Sequence, residues 1–520
     1  MTDPESASAR STPAEHSISD KSWIWGGYLF VGLFFLLRLW YVAAGRIEIS
    51  EDEAYQWLWS KHLALSYFSK PPLIAYLQFL GTSIWGDNEF GIRFLSPVLA
   101  ALLSVALLRF LARQGYARAG FWLILLLSAT PMMLLGSTLL TVDAPSVFFW
   151  VLAMMAGWRA TETGALSCWI LTGLFLGLGL LSKYTAVVQI LSLGVFLMTW
   201  KPARQRLRTI GPYLALAISL LAFLPVILWN IQHDWITIRH LANRGGLDEP
   251  WSYKPNFMGE FLGSEIGLLN PIFFGAVLWA CVEFWRRFRD RPLFAYLFWM
   301  GAPLFVFYFL YTVRSRVLPN WIAPSVVPLF ALLAIIGEEW GKTHARAVKG
   351  WLIAGLVIGY FACAFFQFTE VTKVFAGRYL PPHLDPLHRV RGWKEIALML
   401  GREREKALSE GKPVFLIAQH YGLASILSFY LPEAKKSVAG QPLVYYIRTD
   451  LPKNQFYFWP GYDMRKGQNA IYVQEADKPQ VPPASLTKDF GEVIDLGMRD
   501  AYYHGQLFRR YQVYLCRNLR

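Results

Sequence analysis

Residues 23–57 read WIWGGYLFVGLFFLLRLWYVAAGRIEISEDEAYQW. The stretch opens with an apolar run, 23–44, of the length a helix needs to cross the roughly 30 Å hydrocarbon core of a bilayer. It closes on three consecutive carboxylates, Glu51, Asp52 and Glu53, set between apolar and aromatic residues rather than in a polar run. A span that delivers acids to one membrane face is the unit from which the rest of the chain is read.

The apolar pattern recurs near 90–112, 119–140, 143–160, 165–182, 184–200, 209–230, 267–285, 293–313, 321–339 and 350–368, predicting about eleven transmembrane helices. The shorter apolar stretch Pro71–Gly86 reads as a surface helix. With the N-terminus inside, every second loop is basic: Arg113 and Arg118, Arg159, then Lys201, Arg204, Arg206 and Arg208. Arg286, Arg287, Arg289 and Arg291 follow, and finally Lys342, Arg346 and Lys349. Cytoplasmic loops carry such an excess. The alternation places 45–89, 141–143, 182–184, 231–266, 314–320 and everything after about 369 outside. Composition agrees: of 520 residues 55% are hydrophobic and only 17% charged, against about 25% in soluble chains, and the mean hydropathy is +0.32. The net charge of +14 is absorbed largely by the basic inner loops, and no nucleic-acid motif accompanies it. Four cysteines exclude a disulfide scaffold and show no metal-ligand spacing.

Three regions result. Residues 1–22 are expected to be a disordered cytoplasmic tail without a cleavable signal, and 23–368 the transmembrane domain. Residues 369–520, more polar and rich in Pro and Gly, read as a small α/β domain on the outer face. In it Val414–Ala418, Leu443–Arg448, Ala470–Gln474, Glu492–Leu496 and Gln512–Cys516 are expected as strands, and Val390–Ser409 and Tyr421–Tyr430 as helices.

The outer side collects the candidate chemistry. Asp52 and Glu53 follow the first span, with Tyr55, His62 and Tyr67 nearby and Lys70 in Ser66-Tyr-Phe-Ser-Lys-Pro-Pro72. Asp143 stands where two spans meet. Acids at such depth have a partner or a function, and a helix N-cap ahead of Ala-Pro is the competing reading. Lys183-Tyr184 lies at the next outer turn, where a snorkelling lysine is the alternative. Arg314 and Arg316, in the stretch that also holds Asn320 and Trp321, break the positive-inside trend, which favours an anion, phosphate above all. Carboxylates to deprotonate a hydroxyl or bind a divalent metal, with cations to hold a leaving phosphate, are the parts of glycosyl transfer from a lipid phosphate. A flippase-like transporter and a glycan-binding scaffold are the alternatives. The clustering at one face, the lack of an internal repeat and the number of spans count against them.

In order and sidedness, Asp52-Glu53, Ser66–Pro72, Thr141-Val-Asp143, Leu181-Ser-Lys-Tyr184 and Pro319-Asn-Trp321 resemble the bacterial family 39-like glycosyltransferases. These are related to protein O-mannosyltransferases and to the aminoarabinose transferases of lipid A. The resemblance runs from about 23 to 340, and more loosely into the tail at Arg391-Gly-Trp393 and Phe458–Gly461. It implies a GT-C fold in a bacterial inner membrane, a polyprenyl-phosphate-linked sugar as donor, an extracytoplasmic site, inversion at the anomeric carbon and an envelope acceptor. By position Asp52 becomes the catalytic aspartate, with Glu53 and Asp143 beside it. Lys70 matches a lysine near the lipid phosphate, and Arg314 or Arg316, by its own charge and sidedness, is expected to share the phosphate with it. Tyr55, His62, Tyr67, Lys183, Tyr184, Asn320 and Trp321, on the same outer face, are expected as substrate contacts. Ser69 stands where relatives carry Glu or Asp, which leaves metal binding open.

Overall fold

The computed structural model describes residues 13–247 and 250–520. Residues 1–12 of the expected tail lie outside them, and helix α1 (Pro13–Ala43) begins before the apolar run does. Each of the eleven apolar runs is helical over most of its length, but they are not eleven long helices. Five are long and apolar enough to cross a membrane: Asp20–Ala43, Glu89–Arg113, Gly211–Gln232, Pro292–Tyr311 and Pro319–Gln367. Two sharply bent pairs, Tyr184–Thr199 with Lys201–Arg208 and Asn256–Leu268 with Pro271–Phe288, raise the number to seven. The run 119–140 is broken at Thr130-Pro131, because proline disfavours a helical residue before it. The runs 321–339 and 350–368 are one element, Ala323–Gln367, bent at His344 (φ −124°, ψ 43°) between Lys342 and Arg346.

Two helices bring the acidic stretch and its successor together: α2 (Glu51–Lys61) and α3 (Leu73–Trp85), the latter at the place expected for a surface helix. A capping box starts α2. Ser50 Oγ accepts the Glu53 N–H at 3.3 Å, and Glu53 Oε2 accepts the Ser50 N–H at 2.9 Å. The three acids of its first turn also complement the helix dipole. Further on come α4 (Asp143–Thr163), α5 (Leu166–Ser182), α6 (Ile236–Arg244) and α7, the long bent helix Ala323–Gln367.

The C-terminal region holds α8 (Trp393–Leu408), β1 (Val414–Ala418), α9 (Tyr421–Tyr430), β2 (Val444–Tyr446), β3 (Asn469–Glu475), β4 (Phe490–Tyr503) and β5 (Gln506–Leu519). The sheet order is β2-β1-β3-β5-β4. The first three strands are parallel, with Leu416 level with Val444 and Ile471, and β5 and β4 close the sheet antiparallel. The expected strands are present, and the last two are longer than read because they form one hairpin. Its turn, His504-Gly505, takes φ +51° and +76°, the twist that two-residue hairpins favour.

This domain does not stand apart from the first outer loop. Ile49, Ala54, Trp57, Leu58 and Ile92 pack into the same core as Trp393, Ile417, Leu427 and Tyr472. Glu48 caps α8 from across the boundary, accepting the Trp393 N–H at 2.5 Å and the Lys394 N–H at 3.2 Å. Burial and the neighbouring Glu395 push that carboxyl up to about 7. The Glu48 N–H donates to the Val390 carbonyl at 2.8 Å. The helix that carries the acids is thus part of the C-terminal domain's interior.

Candidate active site

Asp52 and Glu53 are neighbours with opposite surroundings. The Glu53 side chain is fully buried against Arg93. Arg93 Nε donates to its Oε1 and Arg93 Nη2 to its Oε2, each at 2.7 Å, while the other Arg93 donors reach the carbonyls of Ile47 and Glu48. The expected catalytic part for Glu53 is corrected here. Its oxygens are spent on Arg93, on Ser50 and on the Leu140 N–H (3.3 Å), so it fixes the entry to α2.

Asp52, one residue earlier, points away from that core. It meets solvent but has protein around it, so poor solvation raises its carboxyl above the ordinary range. Lys70 is the strongest charge opposing that rise, Glu51 adds to it, and Arg244 and Arg389 oppose it. Burial, then Lys183 and Arg244, lower Lys70 to about 8, against the pull of Asp143 and Asp52. Lys70 makes no ion pair within 4 Å among the described residues. Its loop is held by the tail: Gln455 Oε1 accepts the Phe68 N–H at 2.7 Å, and the Gln455 N–H donates to Tyr55 Oη at 2.5 Å.

A second group assembles three of the expected residues from three elements. Lys183 Nζ, at the end of α5, donates to Asp143 Oδ1 at 2.6 Å. Asn320 Nδ2 donates to Asp143 Oδ2 at 2.7 Å, and Lys183 Nζ also reaches the Asn320 carbonyl at 3.2 Å. Asp143 opens α4 but does not cap it with its own side chain. Its carboxylate instead joins that helix to Lys183 and Asn320, so neither the N-cap nor the snorkelling reading holds.

Other expected residues do different work. Arg316 is exposed and paired with Glu260, and Arg314 donates to the Gly246 carbonyl. The cations that act most strongly on Asp52 and Lys70 come from elsewhere. Among them is Arg244, at the end of α6, whose guanidinium lies over the Trp321 ring at 5.8 Å. Arg244 belongs to the outer loop 231–266, a segment whose sequence fits either closure over the site or an ordinary amphipathic interfacial helix. Tyr55 stacks on Phe456, and Tyr67 stacks on Trp59 at 4.5 Å while its hydroxyl donates to the Trp59 carbonyl at 3.0 Å. His62 packs on Trp459. Tyr55 and His62 thus join the first loop to the tail, and Tyr67 packs within the loop itself. The Tyr184 hydroxyl is buried facing Ser66 and Thr237. His240 packs on Phe68, and burial with Arg244 and Lys70 lowers it to about 4, so it is neutral near pH 7. Among the described residues no three His, Cys, Asp or Glu side chains converge as a metal site.

The family model for dolichyl-phosphate-mannose-protein mannosyltransferases matches residues 69–229, a segment that includes Lys70, Asp143 and Lys183. Lipid A galacturonosyltransferase RgtD of Rhizobium johnstonii is 26% identical over 428 residues, 81% of this chain and 86% of that protein. The undecaprenyl phosphate-alpha-4-amino-4-deoxy-L-arabinose arabinosyl transferase of Erwinia tasmaniensis is 28% identical over 364 residues. That match covers 64% of this chain and 63% of the relative's length. Among solved structures, ArnT from Cupriavidus metallidurans bound to undecaprenyl phosphate superposes with a TM-score of 0.63 at 17% identity. It covers 94% of this chain and 98% of that one. The chain therefore has the GT-C fold and is similar to the dolichyl-phosphate-mannose-protein mannosyltransferase family and to bacterial lipid A glycosyltransferases, as its motifs implied.

Proposed function

We propose that the protein transfers a sugar, with inversion, from a polyprenyl-phosphate donor to a hydroxyl of an envelope acceptor. The observation that carries this is that Asp52 and Lys70 act on each other's charge and both feel Arg244, with Asp52 exposed to solvent. Relatives named for undecaprenyl phosphate and lipid A support a polyprenyl donor and an envelope glycolipid acceptor. The chain sits in a bacterial inner membrane, with its N-terminus inside and the C-terminal domain outside. The alternating loop charge supports eleven crossings, with the shorter and bent apolar helices completing those that the long helices begin.

In this reading the donor's tail lies among the apolar helices and its phosphate lies between Lys70 and Arg244. Asp52 accepts the proton of the acceptor hydroxyl as that oxygen bonds to C1. The C1–O bond to phosphate breaks on the opposite face, and polyprenyl phosphate leaves. Lys70 and Arg244 stabilise the charge that grows on the leaving oxygen. The base contributes on the order of 10²–10⁴-fold. Asp143, tied to Lys183 and Asn320, shapes the wall beside Lys70. The test is transfer from a synthetic polyprenyl-phosphate sugar to envelope glycolipid in membranes. Native protein is expected to act and Asp52→Asn to be inactive at equal expression. Turnover by Asp52→Asn near the native rate overturns the reading, as does a reporter fusion that puts residue 52 in the cytosol.

A further inference from the structure

His420 of the C-terminal domain reaches the turn that carries Asp52, beside Tyr421, and Arg389 of the same domain also acts on the Asp52 carboxylate. His420 precedes α9, and its Nδ1 lies 3.0 Å from Glu51 Oε1 and 3.2 Å from the Gly422 nitrogen. The two contacts compete for one atom. A bare Nδ1 can accept the Gly422 N–H and cap α9. A protonated Nδ1 cannot, and donates to Glu51 instead. The acids acting on the ring are Glu51 and Asp52 from α2 and Glu475 from β3, and all three favour the protonated form. The Tyr421 ring lies against it at 4.4 Å. A side chain at position 422 would run into the Glu51 carboxylate, so the two elements are already in close contact.

We propose that His420 is a positioning residue for Asp52: its imidazolium holds the Glu51 carboxylate and cancels a charge that would otherwise oppose ionisation of the neighbouring base. The proposal rests on Asp52 being that base. Glu51 is the acid that stands out among the charges acting on Asp52, and it raises the Asp52 carboxyl. Loss of the imidazolium leaves that effect uncompensated, while loss of the Glu51 charge removes it. The C-terminal domain thereby sets the pH range in which the membrane domain's base works.

The experiment is the pH profile of kcat/KM for the full-length protein in membranes. His420→Gln is expected to move the acid limb up by about 0.5–1 pH unit, and Glu51→Gln to move it down by a similar amount, the scale of one partly screened charge several ångströms away. His420→Lys, which keeps the positive charge, is expected to hold the limb near its native position. A structural role alone would lower the rate at every pH without moving the limb, and that result overturns the proposal. If His420→Gln fails to accumulate, the opposite shift in Glu51→Gln and the retained limb in His420→Lys still decide it. Activity of Asp52→Asn refutes the underlying reading. An inactive Asp52→Asn with unmoved limbs in the other variants refutes this inference alone.

Discussion

Replacing Glu53 by Gln separates the two adjacent acids by what they do. Both Glu53 and Arg93 are almost wholly buried, at 0% and 1% side-chain exposure, and are joined by two bonds of 2.7 Å. A neutral amide keeps one acceptor oxygen, removes the charge that balances the Arg93 guanidinium and turns an NH2 toward one of its donors, leaving the Ile47 and Glu48 carbonyls as its other partners. Removing one partner of a buried pair typically costs about 3–5 kcal/mol, because the remaining charge is stranded away from water. That is a large share of the roughly 5–15 kcal/mol by which domains are stable. Glu53→Gln should therefore lower the thermal unfolding midpoint in detergent and the yield of monodisperse protein. Asp52→Asn, at a solvent-reached position, should leave both near native. The double variant Glu53→Leu with Arg93→Met strands no charge and should recover much of the loss. Equal stability of Glu53→Gln and native protein would refute the assignment of Glu53 to structure, as would failure of the double variant to improve on the single one.

Further outcomes follow from the same geometry. Lys70 titrates near 8, lowered from the ordinary lysine range, so its charge is present below that pH and lost above it. Apparent donor affinity should then fall up to about tenfold per pH unit above 8, as one proton is lost per site, and Lys70→Arg should flatten the fall. Arg244→Ala should raise the donor KM by about 10–100-fold, the scale of a charged hydrogen bond, while Arg316→Ala, paired with Glu260 on the surface, should leave it within about twofold. Asp143→Ala strands the Lys183 ammonium and should cost both stability and turnover, and the further change Lys183→Met should restore stability but not turnover, read by unfolding midpoint and single-turnover rate. Ending the chain at residue 368 should abolish accumulation of folded protein, because Ile49, Trp57 and Leu58 would lose the interior they share with the sheet, as limited proteolysis would report.

Much of this architecture is legible in one dimension because the bilayer imposes local rules. Hydrophobic length and loop charge are properties of contiguous segments, so the apolar runs and the clustering of Asp52, Lys70, Asp143, Lys183 and Asn320 near one end could be read directly. The strands were readable for the same reason, since Val414–Ala418 and Ala470–Gln474 are short apolar runs between turn residues. What segment reading could not supply is which of two similar groups faces the candidate site. Glu53 and Asp52 differ by one position, yet about 100° of helix rotation turns one onto Arg93 and the other toward Lys70. Arg316 and Arg244 are both outer-loop arginines, and only folding pairs one with Glu260 and brings the other over Trp321.

By itself the sequence determined the solvent of each segment, because transfer free energy accumulates residue by residue along the chain. It also determined the face on which charge collects. Tertiary structure alone decided the partners. The buried Arg93–Glu53 pair spans 40 positions, the Asn320–Asp143 bond spans 177, and the His420–Glu51 contact spans 369. Such contacts leave no local pattern, since a charge's partner is chosen by where packing brings the chain back to meet it.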